Sequence, residues 1–413
     1  MSSNFASGRQ RLVVPEASTV TSLRQRNRSG VLKQIILDRE TTRAKLVQAC
    51  DLSPASVTKM VAELIEEGLV REMGSMSSRG GRPIALIGPR PEAAYSIGAD
   101  VGERGVAVEL FDLTMNRVDR EFRGGRQEES PETIAQDLDE AFAALRERNP
   151  AAWPRLLGVG LGLPGLVETD QDQHQILYAQ SLGWPAVAVE RLFSADVPVF
   201  AENGAKTQAK AELWFGAARG VDHALVALLG RGVGLGIVAD GRLTHGFASS
   251  AAEWGHTKIE RNGRLCRCGG HGCVEAYVGS DAILTRWREA GGVFEGSGWG
   301  AIGKFAEAAE TDAVAAELLT EVVETVGAAL GNMVNLTNPQ RIIVGGWVGL
   351  RLMERLAEPL ERSIRANSLA RPGAQFQLQV STFGGDAVAL GSAIMPIEAM
   401  IAAEMGSNAS PAG

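Results

Sequence analysis

Cysteine is scarce in this chain, with four in 413 residues, and histidine is nearly so, with five. So few thiols exclude a small secreted scaffold stapled by disulfides. Arg9 and Arg11 are followed by no apolar segment of the kind a secretory leader carries, and no unbroken run of 18 apolar residues occurs. The reading is a soluble, cytoplasmic protein without membrane contact. A chain of this length is too long for one compact core and points to two or three domains. Net charge is only −8, but it is unevenly placed. The first 90 residues hold 14 Lys and Arg against 8 Asp and Glu, a balance of +6, which leaves −14 for the remainder. A basic head on an acidic body suits a nucleic-acid-binding module joined to a sensor or an enzyme.

The scarce residues are gathered in one place. Between Glu253 and Glu275 the chain reads E-W-G-H-T-K-I-E-R-N-G-R-L-C-R-C-G-G-H-G-C-V-E, which holds His256, Cys266, Cys268 and Cys273 in the spacing H-x9-C-x-C-x4-C. Three thiolates and one imidazole make a closed tetrahedral set for zinc, with no open position for a reactive water, so the metal is expected to be structural. Gly269, Gly270 and Gly272 lie between the ligands, where a chain turning tightly around an ion needs them. The alternative is a disulfide with an idle thiol. Glu253 and Glu275 flank the loop. Held beside a rigid metal site, with the second imidazole nitrogen of His256, they are acceptors for the hydroxyls of a polar ligand; otherwise they are surface carboxylates. The fourth cysteine, Cys50, falls on the apolar side of a short helical pattern and reads as a buried core thiol.

In chain order, residues 1–20 are unpatterned and read as a flexible arm. Residues 21–90 read as helix, turn, helix and wing. Val31, Leu32, Ile35 and Ile36 recur at helical spacing, and a second short helix over 42–50 has Leu46, Ala49 and Cys50 inward. Ser53 is a natural N-cap with Pro54 at the first helical position, and Val57, Met60, Val61, Leu64 and Ile65 share one face of the helix that follows. The opposite face offers Ala55, Ser56, Thr58, Lys59 and Ala62, small or hydrogen-bonding residues that let a helix lie deep in a major groove. The segments L-V-R-E-M and P-I-A-L-I form the wing, and Arg79 and Arg82 sit on the Gly-rich loop between them, suited to a narrow minor groove. The expected DNA contacts are Arg43, Ser53, Ser56, Thr58, Lys59, Arg79 and Arg82. From 91 to 405 strands and helices alternate in two similar α/β halves, the second opening on A-L-V-A-L-L and a Gly-rich turn at 230–236. Residues 406–413 read as a frayed tail.

The sequence from about residue 22 to residue 400 resembles the bacterial family that joins repressors, open reading frames and sugar kinases, known as ROK. The resemblance rests above all on E-W-G-H and C-R-C-G-G-H-G-C-V-E, which match the family's E-x-G-H and C-x-C-G-x-x-G-C-x-E without a gap. It implies an α/β fold: a two-lobed, actin-like (ribonuclease H-like) sugar-kinase architecture with sugar in the cleft, preceded by an N-terminal winged helix-turn-helix. It also implies that Glu253, His256, Glu275 and Asn203 of A-E-N-G hydrogen-bond sugar hydroxyls. Two departures stand out. Family kinases read E-N-D, where the aspartate is the general base, and here that position is Gly204. They read D-x-G-G-T in the first phosphate loop, and here Glu103 and Arg104 stand in D-V-G-E-R.

The expectation is therefore a DNA-binding regulator, a repressor of carbohydrate-use genes, in which an inactive kinase cleft senses sugar. Its partners are a double-stranded operator and a small sugar effector. A homodimer or a dimer of dimers follows because one helix-turn-helix per chain reads only a half-site. The rival readings are an ATP-dependent sugar kinase with an accessory DNA-binding domain, and a regulator whose effector is a partner protein.

Overall fold

The computed structural model describes residues 20–77, 83–102, 105–124, 130–170, 172 and 174–403. The arm up to residue 19, Arg79, Arg82, Glu103, Arg104 and the tail at 406–413 lie outside them. The chain divides into two compact units at Gly88/Pro89, with the residues from Met400 grouped with the first.

The first unit is α1 (Val20–Asp38), α2 (Arg43–Cys50), α3 (Pro54–Glu66), β1 (Val70–Met76) and β2 (Ile84–Pro89), the two strands pairing in one small sheet. Capping residues set the helix starts. Thr42 accepts from Lys45 N at 3.3 Å, and Ser53 accepts from Ser56 N at 3.2 Å with Pro54 next in line. Val31, Leu32, Ile35, Ile36, Leu46, Val57, Val61 and Leu64 are fully buried between the three helices. A pair of hydrogen bonds between Thr41 and Ile87, at 2.8 and 2.9 Å, ties the wing to the turn before α2. Ala49, expected inward, is exposed, and Cys50 is only half-buried, because α2 stops at Cys50 and Asp51 turns the chain away at φ +51°. Burial, with Asp38 adding to it, still raises the Cys50 thiol.

The second unit holds two five-stranded sheets of one design. In the first lobe β3 (Tyr95–Gly102), β4 (Gly105–Asp112) and β5 (Arg117–Gly124) are antiparallel; α4 (Pro131–Arg148) follows. Then β6 (Leu156–Leu163) joins the other edge of β3 in parallel. A small sheet of β7 (Leu166–Thr169), β8 (Gln175–Tyr178) and β9 (Val187–Ala188), with the short α5 (Val189–Leu192), precedes β10 (Val199–Asn203), parallel to β6. Helix α6 (Gly204–Phe215) carries the chain to the second lobe, where β11 (Ala224–Leu229), β12 (Val233–Ala239) and β13 (Arg242–Leu243) repeat the antiparallel trio. After the cysteine loop come α7 (Glu275–Val278), α8 (Ser280–Glu289), α9 (Gly298–Ala308) and α10 (Ala313–Thr337). Then β14 (Arg341–Gly345), α11 (Gly346–Ala366), α12 (Ala370–Gly373) and β15 (Gln377–Val380) complete the sheet, and α13 (Ala387–Ala403) ends the described chain. The orders β10-β6-β3-β4-β5 and β15-β14-β11-β12-β13 are the same fifth-fourth-first-second-third arrangement, so the two similar halves expected from the sequence are present.

Two details differ from the sequence reading. The glycines at 234 and 236 lie inside β12 rather than in a turn. A Cβ on them would fall 2.6 Å from Ala205 Cβ and 2.2 Å from Ala209 Cβ, so they let α6 lie close on the sheet. Helices α8 and α9 were not foreseen. Helix α13 packs in the same intimate way: a Cβ on Gly98 or Gly160 would fall 1.9 Å from Ala389 O or 2.0 Å from Ser392 O, and one on Gly391 would fall 1.7 Å from Thr207 O of α6. The segment Gly384–Ala403 is long and apolar enough to cross a membrane, interrupted only by Asp386 and Glu398, but 61 % of its 18-residue apolar stretch is buried in the protein.

Glu109, in the middle of β4, is 1 % exposed. One carboxylate oxygen meets Arg117 at 3.2 Å and Arg120 at 3.3 Å, and the other has no hydrogen-bond partner among the described residues. Burial, with Asp386 adding to it, pushes its carboxyl up to about 7 against the pull of the two arginines. Between the unfolded value near 4.5 and about 7 the folded chain holds a proton that the unfolded chain has lost. Stability therefore falls as pH rises through that window, by up to about 3 kcal/mol. Glu109→Gln is expected to melt near the parent at pH 4.5 and clearly above it at pH 8. Equal melting temperatures at both pH values would contradict this.

Candidate metal centre and adjoining cleft

The cysteine loop is built by its own backbone. A 3-10 turn, Trp254–His256, presents His256, and isolated bridges at Lys258–Cys273 and Leu265–His271 fold the loop back on itself. Cys266 N donates to Gly270 O at 2.7 Å and Gly269 N to Cys266 O at 2.9 Å. Gly269 and Gly272 have φ of +84° and +72°, and a Cβ on Gly272 would lie 1.6 Å from Glu260 O, so only glycine fits there. The result brings together the four residues the spacing singled out. The ligand atoms of His256, Cys266, Cys268 and Cys273 all lie within 4.8 Å of one another.

Cys266 Sγ is 3.8 Å from His256 Nδ1, and Cys268 Sγ is 3.8 Å from Cys273 Sγ. Four donors around an ion with metal–sulfur arms of about 2.3 Å have edges of about 3.8 Å, so the spacing fits tetrahedral zinc. All four cysteines are free thiols, so the disulfide alternative is not what the loop adopts. Lys258 Nζ donates to Cys273 Sγ at 2.9 Å, an ammonium against the excess negative charge that three thiolates carry beside a divalent cation. Burial pushes the Cys266 thiol up to about 12. Cys268 is held below the usual thiol value, since the Gly270 N–H, the neighbouring sulfurs and Lys258 outweigh its burial. Nδ1 of His256 faces the sulfurs, which leaves Nε2 for something else.

Glu275 is not a surface carboxylate. It is 5 % exposed, accepts from Val233 N at 3.1 Å, and lies 3.4 Å from Arg267 and 3.7 Å from Cys266 Sγ. Glu253 is half-buried at the other end of the loop. Burial raises its carboxyl, with Glu275 and Glu202 adding to it, against the pull of His256 and Lys206. Asn203 has a structural task that the sequence reading did not give it: Oδ1 caps α6 by accepting from Ala205 N at 2.8 Å and Lys206 N at 3.4 Å, and Nδ2 donates to Gly165 O at 2.8 Å.

A group the sequence reading missed stands beside Glu253. Glu202 is buried and accepts from His245 Nδ1 at 3.0 Å and Ser249 Oγ at 3.3 Å, and Lys206, 1 % exposed, has Nζ 3.6 Å from the Glu202 carboxylate and donates to Ser249 O. Burial works against the Glu202 charge, but His245 and Lys206 hold its carboxyl below the usual range. The available signal was Lys206 itself, a lone cation set among small residues in G-A-K-T-Q-A.

The glycines of the second Gly-rich segment and of G-G-W serve packing. Gly346, at φ +73°, would place a Cβ 2.4 Å from Leu229 O, and one on Gly345 would fall 2.5 Å from Gln208 Nε2. The indole of Trp347 lies against Gly230, and Arg267 donates to Arg231 O at 3.1 Å, so the Gly230–Gly232 turn is lined by side chains. Gly204 brings no acceptor to the start of α6, and its nearest neighbours, Leu163 O and Val388 Cγ1, are 3.8 Å from where a Cβ would stand.

In the first unit, Thr58 and Lys59 are exposed on α3, where the sequence placed them. Several of the expected contact residues are engaged within the unit: Thr58 Oγ1 donates to Pro54 O at 2.8 Å, Ser53 and Ser56 hydroxyls lie 2.9 Å apart, and Arg43 pairs with Glu72 at 3.2 Å.

Comparison with known proteins bears on the fold and the family. A xylose repressor of Caldicellulosiruptor bescii is 29 % identical over 394 residues, covering 92 % of this chain and 98 % of its own. Among solved structures, a ROK family transcriptional regulator, a homologue of the E. coli MLC protein, superposes with a TM-score of 0.74 at 26 % identity over 93 % of this chain and 99 % of that one. A ROK family glucokinase from Streptomyces griseus, in complex with glucose and AMPPNP, superposes with a TM-score of 0.64 at 26 % identity over 74 % of this chain and 100 % of its own. The family model described as ROK matches residues 96–399, and on that match, spanning most of the chain, the protein belongs to the ROK family.

Proposed function

We propose that the chain is a sugar-responsive transcriptional repressor whose kinase-like cleft binds without catalysing. The observation that carries this reading is at the cleft: a metal-ready loop holds two half-buried or buried carboxylates, Glu253 and Glu275, and it is supported by Gly204 at the start of α6, the position where the family resemblance implies a kinase's base. Loss of a general base removes a factor of about 10²–10⁴ in rate. His256, Cys266, Cys268 and Cys273 hold structural zinc, and the ion fixes the loop rather than reacting. Glu253, Glu275 and Nε2 of His256 take sugar hydroxyls, with Asn203 shaping the floor from its place as helix cap. Residues 21–90 form the DNA-binding domain, reading an operator through α3 and the wing with Arg43, Ser53, Ser56, Thr58, Lys59, Arg79 and Arg82, and 91–405 form the sugar-binding domain. The protein works in the cytoplasm as a homodimer or a dimer of dimers, so that two heads meet a two-fold operator. The coverage by the xylose repressor along nearly its whole length supports a repressor over a kinase with an added head.

Sugar and operator affinities are linked reciprocally: whatever factor one ligand imposes on the other is returned. The experiment is titration of D-xylose, D-glucose and N-acetyl-D-glucosamine by calorimetry, with operator binding measured with and without each. One sugar is expected to bind and to change operator affinity at least fivefold. Robust ATP-dependent phosphorylation of that sugar, or identical operator affinity with every sugar and with none, would end the proposal.

A further inference from the structure

The loop that leads into Glu253 is held by the opposite lobe. It runs from His245 to Ala252 in the second lobe, and it is gripped by two carboxylates of the first lobe and by one cation of α6, the helix that joins the lobes. Glu202 of β10 accepts from His245 Nδ1 at 3.0 Å and Ser249 Oγ at 3.3 Å, Lys206 of α6 donates to Ser249 O, and Glu168 of β7 accepts from Ser250 Oγ at 2.6 Å. The loop also closes on itself through Ala251 N to His245 O at 2.9 Å. Ser249 and Ala252 sit at φ +59° and +71°, a region that costs residues with a side chain and persists only where neighbours enforce it. The ammonium of Lys206 is sealed from solvent, yet it donates its hydrogen bond to a carbonyl of this loop and is ion-paired with the carboxylate that also holds the loop. A buried lysine so placed is there for the loop, since a packed apolar side chain would otherwise serve α6 better.

We propose that Lys206 and Glu202 are positioning residues of the ligand site, which fix the His245–Ala252 loop across the cleft and thereby set the carboxylate of Glu253 against a sugar hydroxyl. The inference rests on the sugar-binding reading above. It adds that the first lobe places a second-lobe acceptor, so affinity depends on residues that never touch the ligand.

The test is a double-mutant cycle on the full-length, zinc-loaded protein, using whichever of D-xylose, D-glucose and N-acetyl-D-glucosamine gives the largest heat with the parent. Lys206→Met combined with Glu202→Gln, which removes both charges together, is expected to weaken that sugar tenfold or more while zinc content stays at one per chain. In a Glu253→Gln background the same pair of changes is expected to cost less than twofold, because the residue they position is already disabled. A merely structural role would leave the two effects additive, and that result overturns the inference. Should the doubly substituted chain fail to fold, Ser250→Ala, which removes only the Glu168 link, is expected to weaken the sugar about threefold in the parent and not in Glu253→Gln; no change in the parent overturns the inference as well. No heat from the parent with any of the three sugars removes the reading beneath it, whereas parent binding with an undisturbed variant removes the positioning role alone.

Discussion

Replacing Cys273 with Ser is expected to empty the metal site and lower the melting temperature by 10 °C or more. Cys273 is fully buried, and its sulfur is shared between the ligand cluster and Lys258 Nζ at 2.9 Å. A serine hydroxyl is a poor zinc ligand and stays protonated, so three donors remain and the ammonium loses its anion. Without metal the loop must also seat Cys266, whose thiol burial pushes up to about 12, as a neutral group among neighbours arranged for a thiolate. Zinc in small structural sites contributes on the order of 10 kcal/mol of binding free energy, and that binding is largely folding free energy. Metal analysis of the purified variant and a thermal melt are sufficient. Full metal occupancy, or an unchanged melt with the metal gone, would show that the loop is held by its hydrogen bonds alone.

The second large effect is expected where no chemistry occurs. Gly391→Ala places a methyl group 1.7 Å from Thr207 O, far inside contact distance, and the obstacle is backbone of α6 rather than a side chain that could swing away. Since α6 and α13 must separate to admit it, the cost is expected at about 3 kcal/mol or more, the upper range for overpacking. Urea denaturation measures it; a midpoint within error of the parent would mean that the crossing has slack. Gly160 and Gly98 face Ser392 and Ala389 carbonyls in the same way, so α13 is fitted to the sheet along its inner side.

What could be read from the sequence was what is written locally. Metal ligands need particular atoms at short spacing, so the candidate set His256, Cys266, Cys268 and Cys273 could be picked out from spacing alone, and the structure brings the four together. The head was legible for a similar reason: Ser53, Pro54 and the apolar face from Val57 to Leu64 act within one helix. Several of the misses depend on partners far along the chain. Gly234 and Gly236 look like a turn until α6 is laid on them, and Lys206 looks like a surface charge until Ser249, 43 residues away, arrives above it. Asn203 was read for its chemistry alone; its cap of α6 is local, through Ala205 N and Lys206 N, and only its bond to Gly165 O depends on a distant partner. Glu109 gives no warning in its strand, because its burial comes from β3, β5 and the turn at Asp386 together.

Backbone touching backbone at Gly391 and Thr207 leaves no side chains there to ratchet past one another. Such a crossing behaves as a fulcrum: the helices can tilt about the point but cannot glide along it. A tilt of α13 about that point would move its ends in proportion to their distance from it.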